Sequence, residues 1–398
     1  MFNTKNEFDD SIKLSKKACL LSGIAIGETE RMTFLLKLLY YFNLLWLYTD
    51  VIGEFFWLIE GIKLGKSLDE LSMIAPCSTI CLLATAKSLP ILLNKSTLDS
   101  TVDKLRNMHP NSSNKTESKD ERFEREVVRE SLIFLNSVII FMYVCCAVVV
   151  VIFSTLPLML MSYDYYYKGE TDLKLPFLIK YFFDAYANTK IWGFVYIHQV
   201  WSTTNVCMNI FATDTFFYVF CTYIRMHFRI LGYHFENVVC ASHDQTRRKM
   251  RKCILRHQEL IELVNQLETL YSKSALFNIL SSSLLICLSG FNITIVAKTS
   301  AILAFIPFLV VSLTQISLTC FYGDMLMASS TKMCDAVYNC RWYDASPDIK
   351  KSVFLVLFRA SKPCKVTAAK FAVLNLSAFT TILSRSWSYF ALLKTMYD

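Results

Sequence analysis

The residues able to do chemistry are few and scattered along this chain. His227 and His234 sit seven apart in a basic stretch and read as solvated or capping histidines rather than metal ligands. No GxxxxGK[ST], HExxH, GxSxG or paired CxxC sequence occurs. Phosphate-loop, zinc-protease, serine-hydrolase and dithiol chemistry are therefore not indicated. No enzyme activity, metal or cofactor is expected. Asp214 is a carboxylate set inside a long apolar stretch. At a bilayer centre such a group costs about 3 kcal/mol, so it must face protein or water. A proton relay would need more intramembrane acids, and only Asp50 and Glu54, near the end of another apolar stretch, are available. A structural hydrogen-bonding role is expected for Asp214. Lys37 and Lys87 lie near the inner ends of apolar stretches and are expected to snorkel towards water.

The elements that must position these groups follow from composition. The chain has 398 residues, 54% hydrophobic, 14% aromatic and only 19% charged, against about 25% charged in a soluble domain. Disordered, collagen-like and disulfide-stapled chains are excluded, and a water-soluble enzyme is disfavoured. With Gly 10 and Pro 8, the chain is poor in loop formers, so long helices fill it.

A spanning helix needs about 20 mostly apolar residues. Seven such stretches occur, at about Phe34 to Leu58, Leu71 to Leu93, Ser131 to Thr155, Ile191 to Ile224, Ala275 to Ala297, Ala301 to Met327 and Phe371 to Leu393. None alternates as a barrel strand does. Aromatic residues gather near their ends, for example Trp57, Tyr163, Trp192 and Tyr389. The fold class is an all-α membrane protein with seven transmembrane helices.

Charge gives the orientation. Residues 1–33, 94–130, 225–274 and 328–370 carry thirty Lys and Arg, whereas the alternate loops 59–70, 156–190 and 298–300 carry seven. The basic side is cytoplasmic. The N-terminus is therefore cytoplasmic and Asp398 extracellular, the reverse of a G-protein-coupled receptor. Asn111 and Asn114 open N-x-S/T sequons on the cytosolic side and are expected to stay unmodified. The fourteen cysteines read as free thiols rather than a disulfide framework.

Outside the spans, the patch Ala18 to Ile26 predicts a short amphipathic helix on the membrane surface. Residues 109–126 predict a mobile cytoplasmic link. In 225–274, apolar positions such as Leu260, Leu263, Leu267 and Leu270 recur at helical spacing and predict a long helix continuing into the cytoplasm. Residues 328–370 behave similarly and need a partner surface.

The C-terminal third resembles the insect odorant receptors. The resemblance rests on Gln315, Cys320-Phe-Tyr-Gly-Asp324, Ala336-Val-Tyr-Asn-Cys-Arg-Trp-Tyr-Asp344, Leu357-Phe-Arg-Ala-Ser-Lys-Pro363, Ala369-Lys-Phe371 and the ending Ser388-Tyr-Phe-Ala-Leu-Leu-Lys-Thr-Met-Tyr397. Lys174-Leu-Pro-Phe177, Tyr196 and Gln199 also look like the family. The inverted topology is an independent match. The resemblance covers essentially the whole chain and is strongest from about residue 310 onward.

The resemblance implies an odorant-specific tuning subunit of a hetero-tetrameric, ligand-gated cation channel. Its partners would be a shared co-receptor subunit (Orco), a small volatile ligand and membrane lipid, with no nucleic acid. Its location would be the plasma membrane of olfactory sensory neurons. It implies a cytoplasmic segment 1–33, six helices over 34–327 with an odorant pocket in their outer half, cytoplasmic anchor helices over 328–370, and a pore-lining helix with a short extracellular end over 371–398. Leu392 then corresponds to a hydrophobic gate that closes by dewetting, and Thr395 and Met396 to the mouth beyond it. Arg385, seven residues before Leu392, falls on nearly the same face. Tyr338 and Trp342 fall in the anchor.

A small apolar ligand is recognised by shape and dispersion with one or two polar handles. Candidate contacts are Met73, Cys77 and Ile80 in the second span, and Phe141, Cys145 and Val148 in the third. The fourth offers Trp192, Val195, Tyr196 and Gln199, and the sixth Phe305 and Leu309. Competing readings are a gustatory receptor channel, whose Thr-Tyr-x-x-x-x-x-Gln-Phe ending is absent, a metabotropic G-protein-coupled chemoreceptor and a transporter.

Overall fold

The computed structural model describes residues 4–66, 68–109, 119–169, 172–295 and 299–397. Among them the chain forms α1 (Thr4–Ser22), α2 (Glu30–Lys63), α3 (Leu68–Ser72), α4 (Ala75–Leu93), α5 (Lys95–Met108) and α6 (Lys119–Lys168). These are followed by α7 (Thr189–Glu236), α8 (His243–Ile295), α9 (Thr299–Tyr338), α10 (Pro347–Ala360) and α11 (Leu376–Tyr397). A short antiparallel hairpin, β1 (Thr367–Ala368) and β2 (Ala372–Val373), precedes α11. The sequon residues Asn111 and Asn114, and Asp398, lie outside the described residues.

α7 is the axis of the bundle. It packs against α1, α4, α6, α8 and α9. Every residue from Asn209 to Ile224 is buried, as expected for a helix with protein on all sides. Among the described residues, α2, α6, α8, α9 and the helical stretch Glu70–Leu93 are long and apolar enough to cross a membrane. α7 and α11 are not in that group. α7 carries Asn205, Asn209, Thr213, Asp214 and Thr215 because its neighbours are helices and not lipid; all five are buried. α11 is treated below.

The N-terminal helix differs from expectation. The apolar face of α1 docks on α7, with Phe8 and Ile12 buried, the Phe8 and Tyr223 ring centroids 5.0 Å apart, and the hydroxyls of Ser11 and Tyr223 2.9 Å apart. An amphipathic face is satisfied by a protein groove as well as by a bilayer. α6 starts at Lys119, so the second half of the expected link 109–126 is helix. The cytoplasmic helix expected over 225–274 is broken between Glu236 and His243, and α8 carries its second part.

The last helix begins five residues later than expected. Ala372 and Val373 pair with Ala368 and Thr367 instead. The hairpin is held to α8, where Glu268 accepts from Thr367 N at 2.7 Å and Ser272 O from Ala369 N at 3.0 Å. Gly323, inside the Cys320–Asp324 motif, lets Leu374 lie directly on α9. A Cβ there would stand 2.5 Å from Leu374 O.

Candidate functional site

At the end of the bundle where α2 and α6 stop and α4 begins, five helices enclose a cavity of ≈ 50 Å³. α2 contributes Leu47, Asp50 and Glu54, and α4 contributes Cys77, Ile80 and Cys81. α6 adds Val149 and Phe153, α7 adds Ser202, Thr203, Val206 and Cys207, and α9 adds Phe308. Phe177, from the loop before α7, closes the cavity. Its ring stacks on Phe153 at 5.3 Å, and Phe308 meets Phe153 edge-on at 5.2 Å. Ligand pockets run to about 300 Å³ or more. A ligand of odorant size therefore enters only if these aromatic and soft thiol side chains move.

The covering loop is fastened by the first turns of α7. Asn188 caps that helix, accepting from Ile191 N at 2.9 Å. Gln199 accepts from Phe177 N at 2.9 Å and donates to Tyr181 Oη at 3.1 Å. Tyr181 in turn donates to Asp50 Oδ1 at 3.1 Å. Trp192 donates to Lys174 O at 3.1 Å, and Tyr196 to Ser154 O at 2.6 Å. Gly53 lets the loop lie on α2, since a Cβ there would stand 2.3 Å from the Ile179 side chain. His198 Nδ1 lies 3.1 Å from Asp50 Oδ1, and its ring stacks on Trp46 at 4.6 Å. Ser78 donates to Glu54.

The expected contacts divide into three groups. Cys77 and Ile80 line the cavity, and Met73 and Phe305 pack on the same Phe153–Phe308 cluster. Trp192 and Gln199 hold the loop, Tyr196 bonds to Ser154 of α6, and Val195 is buried beside them. Leu309, next to Phe308, is half-buried and does not line the cavity. On α6 the inward face is one residue out of phase with expectation. Phe141 and Val148 are 51% and 49% exposed and Cys145 is half-buried, while Met142, Cys146, Val149 and Phe153 point inward. One residue is about 100° of helix, and a span apolar on all faces gives no pattern to fix that phase.

The sequence reading missed Asp50 and Glu54 as lining residues. Their signal was present: two carboxylates four apart, one turn above the other, in an otherwise apolar run. Phe153, Phe177, Phe308 and Ser202 had no such signal. Lys87 also departs from expectation. It does not snorkel; it is buried and donates to Asp214 at 2.6 Å.

α11 turns Ile382 and Ser386 to the bundle, with the hydroxyls of Ser386 and Ser283 3.0 Å apart. Arg385, Leu392, Thr395 and Met396 are exposed, Leu392 by 59%. In the 328–370 region, Tyr338 and Trp342 project outward with ring centroids 6.5 Å apart, and Phe354, Leu355 and Phe358 of α10 are also exposed. All fourteen cysteines are free and none is exposed.

This bundle, with its buried cavity and lipid-length helices, defines a multi-pass helical membrane receptor. Residues 67–386 match a family model described as 7tm Odorant receptor. The chain is 30% identical over 362 residues to odorant receptor 67c of Drosophila melanogaster, covering 90% of this chain and 86% of that one. It is 24% identical to odorant receptor 85c of the same species, covering 93% and 94%. It shares its fold with the insect olfactory receptor OR5 of Machilis hrabei, solved in complex with eugenol, at a TM-score of 0.84 and 15% identity over 99% of this chain and 100% of that one. The chain belongs to the 7tm odorant receptor family of insects, a family of receptors and not of enzymes.

Proposed function

We propose that this chain is the odorant-binding subunit of a heteromeric, odorant-gated cation channel. It assembles with a co-receptor subunit in the plasma membrane of olfactory sensory neurons, its N-terminus cytoplasmic and its C-terminus outside. The ligand is a small volatile compound, as eugenol is for the Machilis receptor. It occupies the cavity between α2, α4, α6, α7 and α9. Opening runs along α11.

The observation that carries this reading is the free face of α11. It exposes Thr380, Thr381, Ser384, Arg385 and Ser388 together with Leu392 and Met396. That mixture is too polar for lipid and suits the wall of a water path made by several subunits. The outward Tyr338 and Trp342, and the exposed apolar side chains of α10, are the kind of apolar surface that assembly covers. The basic loops also support the orientation. Arg106 with Asp9, Lys104 with Glu262 and Arg229 with Glu130 pair at one end of the bundle, and the loop covering the cavity lies at the other.

The test is co-expression with the co-receptor in a voltage-clamped cell and a screen of volatile compounds. Odour-evoked cation currents that persist when guanine-nucleotide exchange is blocked are expected. A C-terminal tag that antibody reaches only after permeabilisation, or currents abolished by that block, would overturn the reading in favour of a metabotropic receptor.

A further inference from the structure

The cavity is mainly apolar, and two of its lining residues are carboxylates. Asp50 and Glu54 stand one helical turn apart on α2, only 5% and 4% exposed, and both line the cavity. Among the described residues no Lys or Arg lines it. Asp50 Oδ1 is occupied, facing Tyr181 Oη and His198 Nδ1 at 3.1 Å each. Asp50 Oδ2 is buried and has no partner among the described residues. Opposite, on α7, Ser202 is 4% exposed and its Oγ is also without a partner.

A buried carboxylate oxygen left unpaired is costly, about 1–3 kcal/mol or more. Glu54 spends a lone pair on Ser78, which leaves Asp50 Oδ2 as the open acceptor. A neighbouring carboxylate adds negative potential to the same small volume. An ester, ketone or ether brings only lone pairs, so it leaves Oδ2 unpaired and sets oxygen against oxygen. A hydroxyl or N–H compound brings the missing hydrogen. Ser202 Oγ both donates and accepts, so it offers a second hydrogen bond to a hydroxyl or to an ammonium.

We propose that this cavity selects odorants whose polar end is a hydrogen-bond donor, a hydroxyl or amine on an apolar body, with the donor on Asp50 Oδ2. This deepens the odorant-receptor reading and rests on it. The carboxylate pair supplies the polar handle, Phe153, Phe177 and Phe308 the apolar wall, and Ser202 a second hydrogen-bonding group.

Binding measured directly separates this proposal from the channel reading. The full-length chain in lipid nanodiscs is titrated with a straight-chain alkanol and with the primary amine, methyl ether and ketone of equal heavy-atom count, and followed by the shift in melting temperature. The alkanol or the amine is expected to bind at least about tenfold tighter than the ether and ketone, the size of one hydrogen bond to a charged group. Asp50→Leu should reduce that ratio below about threefold. Asp50→Asn, closer in shape, should remove the amine's advantage. Ether or ketone binding as tightly as the donors, no binding by any of the four, or a donor advantage that survives Asp50→Leu would each overturn the proposal. Donor-selective binding without odour-evoked current would leave it standing and count against the channel reading alone.

Discussion

Lys87 Nζ lies 2.6 Å from Asp214 Oδ1 in the interior of the bundle, and both side chains are almost fully buried. Gln315 Nε2 donates to the other carboxylate oxygen at 2.7 Å. The three residues tie α4, α7 and α9 together. Beside them, Asp214 and Lys87 border a small gap shared with Tyr271, Asn278 and Leu374, the last at the root of α11. Each charge alone would be expensive in a bilayer. Together they neutralise one another, and Gln315 fills the second oxygen.

Breaking that pair strands a charge. Lys87→Met is expected to destabilise the receptor by about 3–5 kcal/mol, and the double variant Lys87→Met with Asp214→Leu to recover most of the loss. Melting of the purified chain in detergent, with surface expression as a second readout, checks this. A single variant as stable as the parent would show that the pair does not hold the three helices.

The phase of α6 gives a paired comparison. Val149 faces the cavity and Val148 the outside. Val149→Trp should fill the cavity and abolish ligand binding. Val148→Trp should leave the affinity within about threefold, since exposed positions tolerate change. The reverse pattern in a binding titration would move the ligand to the other face.

For the gate, Leu392→Ser should raise the unstimulated conductance of the assembled channel, because a hydroxyl ring holds water where a leucine ring expels it. The measurement is basal current in the absence of odorant. An unchanged leak at normal surface expression would assign Leu392 to packing or lipid.

Acid sensitivity should come from buried histidines beyond the 191–224 span. Burial, with Arg256 and His109 nearby, pushes His227 down to about 3. Burial, with Arg359, pushes His257 down to about 4. An unfolded histidine titrates near 6.5, so between those values the unfolded chain binds the extra proton. Stability is then complete above about pH 6.5 and falls as pH drops, by about 1.4 kcal/mol per pH unit for a fully buried group such as His227. Melting curves at pH 7 and pH 5 test it. His227→Gln should flatten the difference, and an unaltered slope would exclude His227 as its source.

The sequence alone determined that the chain is a bundle of membrane-length helices, which loops are basic, and which motifs mark the family. It could do so because lipid contact demands apolar runs of a set length, and runs are visible in one dimension. Tertiary structure decided what each face of those runs meets. A helix apolar on every side carries no periodic signal, so whether Val148 or Val149 faces the cavity was fixed only when α6 packed on α7. Lys87 near a helix end has two ways to satisfy its charge, water or a carboxylate, and only the approach of Asp214 from a helix distant in sequence chose the second. Asp50 and Glu54 became cavity walls for the same reason: their partners Tyr181, His198 and Ser78 come from three separate segments, brought together by the fold.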